Sequence, residues 1–258
     1  RDPEMSRGLG DVYKRQINQL VGRNIFCIFA ATVINQNQSM YAAISADIVS
    51  STSLSIEETI ALKQRIEDLF SILEKRFPGF WGRLIKGDYM ECLLPSTKDG
   101  FRVALIIKSC IKSFPIAESK KKKPFQIYGI RMAMGIGDMR IVDKENGIMD
   151  GEAIYLSGRT LDGMGTPNKN GTFLIEPADK QLKPALQTVG MLTDALLNNA
   201  TKRQSEVIYY KLLSKSEQEI ADILGVKQSG INQHSTSAKW YCIEEALSYF
   251  EQLNFENV

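Results

Sequence analysis

The hydrophobic pattern has two regimes, a front part of mixed period and a back part of helical period only. Residues 41 to 47 form a short apolar run that ends on Asp47, and the polar patch Ser50, Ser51, Thr52, Ser53 follows. An apolar run bounded by turn formers predicts a buried strand. Ser55 and Glu58 stand at capping-box spacing, and Ile60, Ile66, Leu69, Phe70 and Leu73 share one face of a helix to about residue 76. Pro78-Gly79 ends it. Two apolar arms around Gly87-Asp88 predict a hairpin, and residues 99 to 114 a second helix. ESKKKKP reads as a solvated loop. FQIYGIRMAMGIGDMRIVD predicts strand, glycine-rich turn and strand; residues 151 to 164 predict a helix, and GTFLIE a closing strand. This order predicts an α+β fold, an antiparallel-rich sheet with helices on one face. PADKQLKPALQT reads as a connection, and from residue 186 the pattern is helical. The expected domains are therefore residues 40–180 and 186–256.

Composition narrows the chemistry. The chain has 258 residues, 43% hydrophobic and 24% charged, with a net charge of +2. That suits one large or two small domains and excludes a generic polyanion binder. The cysteines Cys27, Cys92, Cys110 and Cys242 lack ligand or disulfide spacing, which predicts a reducing, cytoplasmic setting and no membrane span. A single histidine, His234, argues against His-based triads and His-rich metal sites. Residues 1–39 read as a non-native leader: GDVYKRQ resembles a translated transposon end, so residues 1–16 carry no fold signal. The apolar run 25 to 34 is too short to span a bilayer, and Met40 is the expected start.

Asp47 at a strand end and Asp88 at a hairpin tip can reach one sheet edge if their strands are neighbours. Two carboxylates and a backbone carbonyl suit a hard cation. Amides entering a helix N-terminus at residues 49 to 53 suit phosphate. The structural alternative is Asp47 as a helix partner and Asp88 as a turn residue.

Four motifs carry a resemblance. ADIVSST, KGDYM, IRMAMGIGDMRI and GEAIYLSGR resemble, in order, the first-strand, hairpin, Arg-x-Gly-Ile and helix motifs of class III nucleotidyl cyclases. The chain is also similar to SatD-like bacterial proteins, which look like degenerate relatives of that fold. The resemblance implies a ferredoxin-like, cyclase-like sheet and a homodimer. It implies Mg or Mn on Asp47, the Ile48 carbonyl and Asp88, phosphate contacts from Ser50, Ser51, Thr52 and Arg159, and Arg159 as the candidate catalytic residue. Tyr155 replaces the family's ribose-orienting asparagine, Leu84 its base-reading lysine, and Ser50 its glycine. Losing an orienting group removes orders of magnitude in rate, so a nucleotide ligand held without turnover is expected ahead of an active enzyme.

The stretch from Thr201 to Trp240 carries the strongest local signal. Val207, Ile208 and Leu212 mark a helix. Ser216 and Glu219 form a capping box before EQEIADIL, and Gly225 supplies a tight turn. Val226 and Ile231 anchor a further helix whose other face carries Gln228, Ser229, Asn232 and Gln233. Short amides and hydroxyls on a docked helix are what base reading needs. Lys227, Arg203 and His234 are candidate phosphate contacts. The stretch resembles the helix-turn-helix of sigma-factor region 4 and LuxR-type regulators, which implies a small all-α DNA-binding domain. A helical hairpin used for packing is the alternative. The reading of the whole chain is a DNA-binding transcriptional regulator with a sensory or dimerising cyclase-like domain; the runner-up is a metal-dependent nucleotidyl cyclase.

Overall fold

A computed structural model describes residues 40–85, 87–117, 124–167 and 171–255. The apolar run forms strand β1 (Tyr41–Ile48), and a short 3-10 turn (Ser51–Ser53) follows. Helix α1 (Ile56–Arg76) starts at a complete Ser55/Glu58 capping box. The hairpin is β2 (Trp81–Ile85) and β3 (Tyr89–Leu94); α2 (Thr97–Lys112) follows. Then come α3 (Pro124–Tyr128), β4 (Ile130–Gly137), the small hairpin β5 (Ile141–Asp143) and β6 (Ile148–Asp150), α4 (Glu152–Gly163) and β7 (Phe173–Pro177). Five helices close the described chain: α5 (Lys183–Asn199), α6 (Lys202–Leu212), α7 (Glu217–Leu224), α8 (Gln228–Ser237) and α9 (Trp240–Gln252).

The sheet order is β2-β3-β1-β4-β7, antiparallel except for the β4–β7 pair. Fold class is therefore α+β with a mostly antiparallel sheet, as the pattern predicts. Helices lie on both faces, however. Ala42, Ile44, Ala46 and Ile48 of β1 share a core with Leu62 and Ile66 of α1 and Phe101 and Leu105 of α2. Ala43 packs instead with Ala153 of α4, and Ser45 hydrogen-bonds Ser157 of α4 at 2.9 Å. The polar residues Ser45 and Asp47 fall on this second face, a pattern that suits a solvated face although α4 packs on it. The GIG of β4 is the reason α4 can sit so close. A Cβ on Gly135 would lie 2.2 Å from the Ala153 carbonyl oxygen and 2.6 Å from the Ser157 nitrogen.

A second correction concerns residues 124–128, which are helical rather than the start of a strand. Pro124 is pre-set for a first helical turn. Phe125 fills the core, and the Gly129 N–H closes on its carbonyl at 2.7 Å.

The main core continues across the expected boundary at 180–186. Residues from Met40 onward cluster as one compact unit. Phe101 of α2 stacks on Phe173 of β7 and on Phe250 of α9, at 5.9 and 5.1 Å between ring centroids. Two buried lysines of α2 tie the layers further. Lys108 donates to Asp194 of α5 at 2.9 Å and to the Thr172 hydroxyl at 2.7 Å. Lys112 reaches the carbonyls of Ile127, Leu197 and Asn198, the last two ending α5. A cation at the final carbonyls satisfies acceptors that the helix cannot. Residues 1–39 and 118–123, with the leader and most of the ESKKKKP loop, lie outside the described residues. Among the described residues no helix is long and apolar enough to cross a membrane.

Removing one member of a buried pair leaves an unmatched charge, at a cost of about 3–5 kcal/mol. Lys108→Met should lower unfolding stability by that amount in urea melts. Lys108→Met with Asp194→Asn should recover part of the loss, because the double variant leaves no buried charge and an amide oxygen still accepts from the Thr172 N–H.

Candidate functional site

The strand register brings the two aspartates to one edge. Asp47 pairs across the ladder with Tyr89, the neighbour of Asp88, and the Ile48 N–H donates to the Asp88 carbonyl at 3.0 Å. On the other side Asp47 pairs with Arg131 of β4. That second pairing decides the electrostatics. Arg131 donates through Nε to Asp47 Oδ1 at 3.0 Å and through Nη2 to Oδ2 at 2.5 Å. Its Nη1 reaches the Met164 carbonyl at 2.9 Å. The Asp47 hydrogen bonds push the Arg131 guanidinium above its ordinary value. Asp88 Oδ2 accepts from the Ser51 hydroxyl at 3.0 Å.

The two aspartates thus share one sheet edge, and their carboxylates have different partners, Arg131 for Asp47 and Ser51 for Asp88. Both Asp47 oxygens accept from a permanent cation, Arg131, which offsets the negative charge that a hard cation would use, while each oxygen keeps a second lone pair. Among the described residues no three His, Cys, Asp or Glu side chains gather as a metal site, and the expected set is of another kind, two carboxylates and a backbone carbonyl.

The expected phosphate contacts divide in the same way. Ser50 carries the backbone where the cyclases have glycine, and it holds φ 55°, a conformation that suits glycine. Val49 N–H goes to the Gly129 carbonyl, and Ser53 N–H closes on the Ser50 carbonyl. Thr52 is exposed. The helix that residues 49 to 53 were expected to enter begins only at Ile56, and its first turn is satisfied by its own capping box. Arg159 belongs to α4, whereas the guanidinium bound to Asp47 is that of Arg131. Arg159 is exposed, with its guanidinium 5.5 Å from the Tyr155 ring. Tyr155, where the resemblance places an asparagine, donates to Asp150, which also pairs with Arg140. Sequence reasoning missed Arg131 as the partner of Asp47. Its signal was the arginine of IRMAMGIG, meaningful only once β1 and β4 are known to be neighbours.

The C-terminal helices build a second surface. Val207 of α6, Ile220 and Ala221 of α7 and Ile231 of α8 form a small buried cluster. Gly225 joins α7 to α8 at φ 64°, and Val226 N–H returns to the Ala221 carbonyl at 3.0 Å. Val226 itself is exposed, so Ile231 alone carries the anchoring expected of the pair. Lys227, which precedes α8, and Gln228, Ser229, Asn232 and Gln233 of α8 are exposed, and His234 is half-buried. Arg203 belongs to α6 and is paired with Glu206 at 2.7 Å.

The start of α7 is electrostatically tight. Glu219 accepts from the Ser216 N–H at 2.8 Å and from Lys215 at 2.9 Å, which holds its carboxyl at about 2, below the ordinary 4.5. A depressed carboxyl stabilises the fold above its ordinary value and loses that contribution as pH falls towards 2. The melting-temperature advantage of the wild type over Glu219→Gln should therefore shrink between pH 4.5 and 2.

The Arg131 fork gives a second expectation. Asp47→Asn should lower stability by about 1.5–3 kcal/mol in urea melts, the worth of hydrogen bonds to a charged group. Excess Mn2+ should leave the wild-type melting temperature unchanged, since only a ligand of the folded state raises it. A rise that Asp47→Asn removes would contradict this.

No family model matches the chain, and no curated protein matches it. Among solved structures, the "Structure of a bacterial light-regulated adenylyl cyclase" is similar to it over 53% of this chain and 75% of that one, at 14% identity and a TM-score of 0.39. Nothing about function follows from a likeness of that size.

Proposed function

We propose that this protein is a DNA-binding regulator in which α7 and α8 work as a helix-turn-helix. One observation carries the reading. From Lys227 to Lys239 the chain has no acidic residue, although the protein has 30 of them. Within that span Lys227, Gln228, Ser229, Asn232, Gln233 and Lys239 are exposed, while Ile231 and Ser235 are buried. A helix docked by one apolar anchor, with amides and hydroxyls outward and lysines at both ends, suits a polyanionic groove. Packing alone gives no reason to exclude carboxylates from an exposed helix.

The sheet part is proposed as the sensory or dimerising unit of a SatD-like protein, with a second copy of the chain as partner, since paired readers match paired half-sites. A nucleotide or other phosphate ligand at the Asp47 edge would meet Ser50, Ser51 and Thr52. The second reading, a metal-dependent nucleotidyl cyclase, is favoured by Asp47, Ile48 and Asp88 lying at one edge. It is opposed by the Arg131 fork and by Tyr155 in the asparagine position. ATP or GTP incubated with Mn2+ is expected to give no cyclic product. A product lost on Asp88→Ala would reverse the order of the two readings.

For DNA binding, fluorescence anisotropy with duplex pools at low salt should show association that weakens steeply as salt rises. Lys227→Ala should weaken binding about evenly across sequences and reduce the salt slope by about one. Absence of any association at low salt would sink the proposal.

A further inference from the structure

Asn232 lies in the middle of the exposed face of α8, and its amide has one long contact to a carboxylate. Its Nδ2 donates to Glu217 Oε2, at 3.5 Å, across 15 residues of chain. Glu217 begins α7, and its two oxygens serve different partners, because Oε1 takes the Lys211 ammonium at 3.3 Å. Lys211 is fixed in turn, 5.4 Å from the centroid of the Trp240 ring. A chain of contacts therefore runs from Trp240 at the start of α9, through Lys211 of α6 and Glu217 of α7, to Asn232 of α8. Only 23% of the Glu217 side chain is exposed, against an exposed Asn232.

Chemistry then settles which way the asparagine amide points. A carboxylate carries lone pairs and no proton, so it accepts and never donates. The amide must turn its NH2 towards Glu217. One N–H is used there, which leaves Oδ1 and the second N–H to face outward. That is an acceptor beside a donor in a fixed order. In the major groove adenine presents the complement, an N6 amino donor beside the N7 acceptor. Guanine presents two acceptors, O6 and N7, so Oδ1 would face another oxygen.

We propose that Glu217 is a positioning residue for Asn232, and that it sets this helix to select adenine at one position of the bound DNA. The inference rests on the DNA-binding reading above. Glu217 contributes no contact to DNA; it acts by holding an amide that otherwise has two equivalent flips. Lys211 matters because it neutralises the carboxylate that stands behind the reading face.

The test is selection from a randomised duplex pool with the full chain, followed by sequencing of what is retained. The wild type should enrich adenine at one position, on the order of tenfold over the alternatives. Asn232→Ala should flatten that position alone. Glu217→Ala should reduce the same preference several-fold without altering the others, and Glu217→Gln, whose amide oxygen still accepts, should restore part of it. Circular dichroism melts of each variant report whether the fold survives. Asn232 is exposed, so its variant remains informative even where Glu217→Ala is unstable. A Glu217→Ala profile with the adenine preference intact overturns the role of Glu217, while a flat Asn232→Ala position with that profile keeps the reader. An Asn232→Ala profile identical to the wild type overturns the whole inference. A wild type that enriches no sequence and retains no DNA brings down the DNA-binding reading itself, a result visible before any variant is made.

Discussion

The buried ammonium of Lys108 is the contact around which the protein closes. It is wholly inaccessible to solvent, and burial pushes it down from the ordinary lysine value, with Asp194 offsetting part of that. A charge in that position is tolerable only when its protons are all used. Asp194 Oδ1, Thr172 Oγ1 and the Ile130 carbonyl surround it, the last at 3.4 Å. Asp194 in turn accepts from the Thr172 N–H at 2.7 Å and from Asn198 at 3.0 Å. One polar network thereby fixes three things at once: the start of β7, the rotation of α5, and the face that α2 turns to the sheet. Its value lies in specifying this arrangement, since a buried ion pair is weak evidence for stability in itself.

That constraint bears on function because α5 leads directly into the helices proposed to read DNA. Helix α6 serves two cores. Ile208 and Leu212 join the main core, and Val207 joins the cluster that seats α7 and α8. Arg102 of α2 strengthens the union by binding Glu251 of α9 at 2.7 Å, and Arg76 of α1 donates to Ser214, between α6 and α7, at 2.6 Å. The helical part is a continuation of the sheet body and not a module on a tether. The sheet and the helix proposed to read DNA are thus joined through packed side chains rather than through a linker.

Local signals in the sequence proved readable where they were self-contained. The capping boxes at Ser55 and Ser216, the Gly225 turn, the hairpin at Gly87-Asp88 and the apolar run of β1 each involve residues a few positions apart. The neighbouring of β1 and β3, on which the Asp47–Asp88 proposal depended, also holds. What escaped was set by distant pairing. Arg131 and Asp47 are 84 positions apart, and only the β1–β4 register joins them. Lys108 and Lys112 look like ordinary polar positions of an amphipathic helix, yet both are buried. The second helical layer was hidden because Ile44, Ser45, Ala46, Asp47 and Ile48 alternate apolar and polar, the pattern of a strand with one solvated face, whereas Ser45 is buried against Ser157. The division into two domains followed a change of period along the chain, whereas the core follows contacts across it.

Hydrogen–deuterium exchange with and without a duplex pool at low salt tests the central claim, that α7 and α8 form a DNA-reading surface, most directly. The account predicts slowed exchange concentrated in residues 225–239, with the Asp47 edge from residue 47 to 53 unchanged. Protection at the Asp47 edge with none in residues 225–239, or no change anywhere, would contradict it.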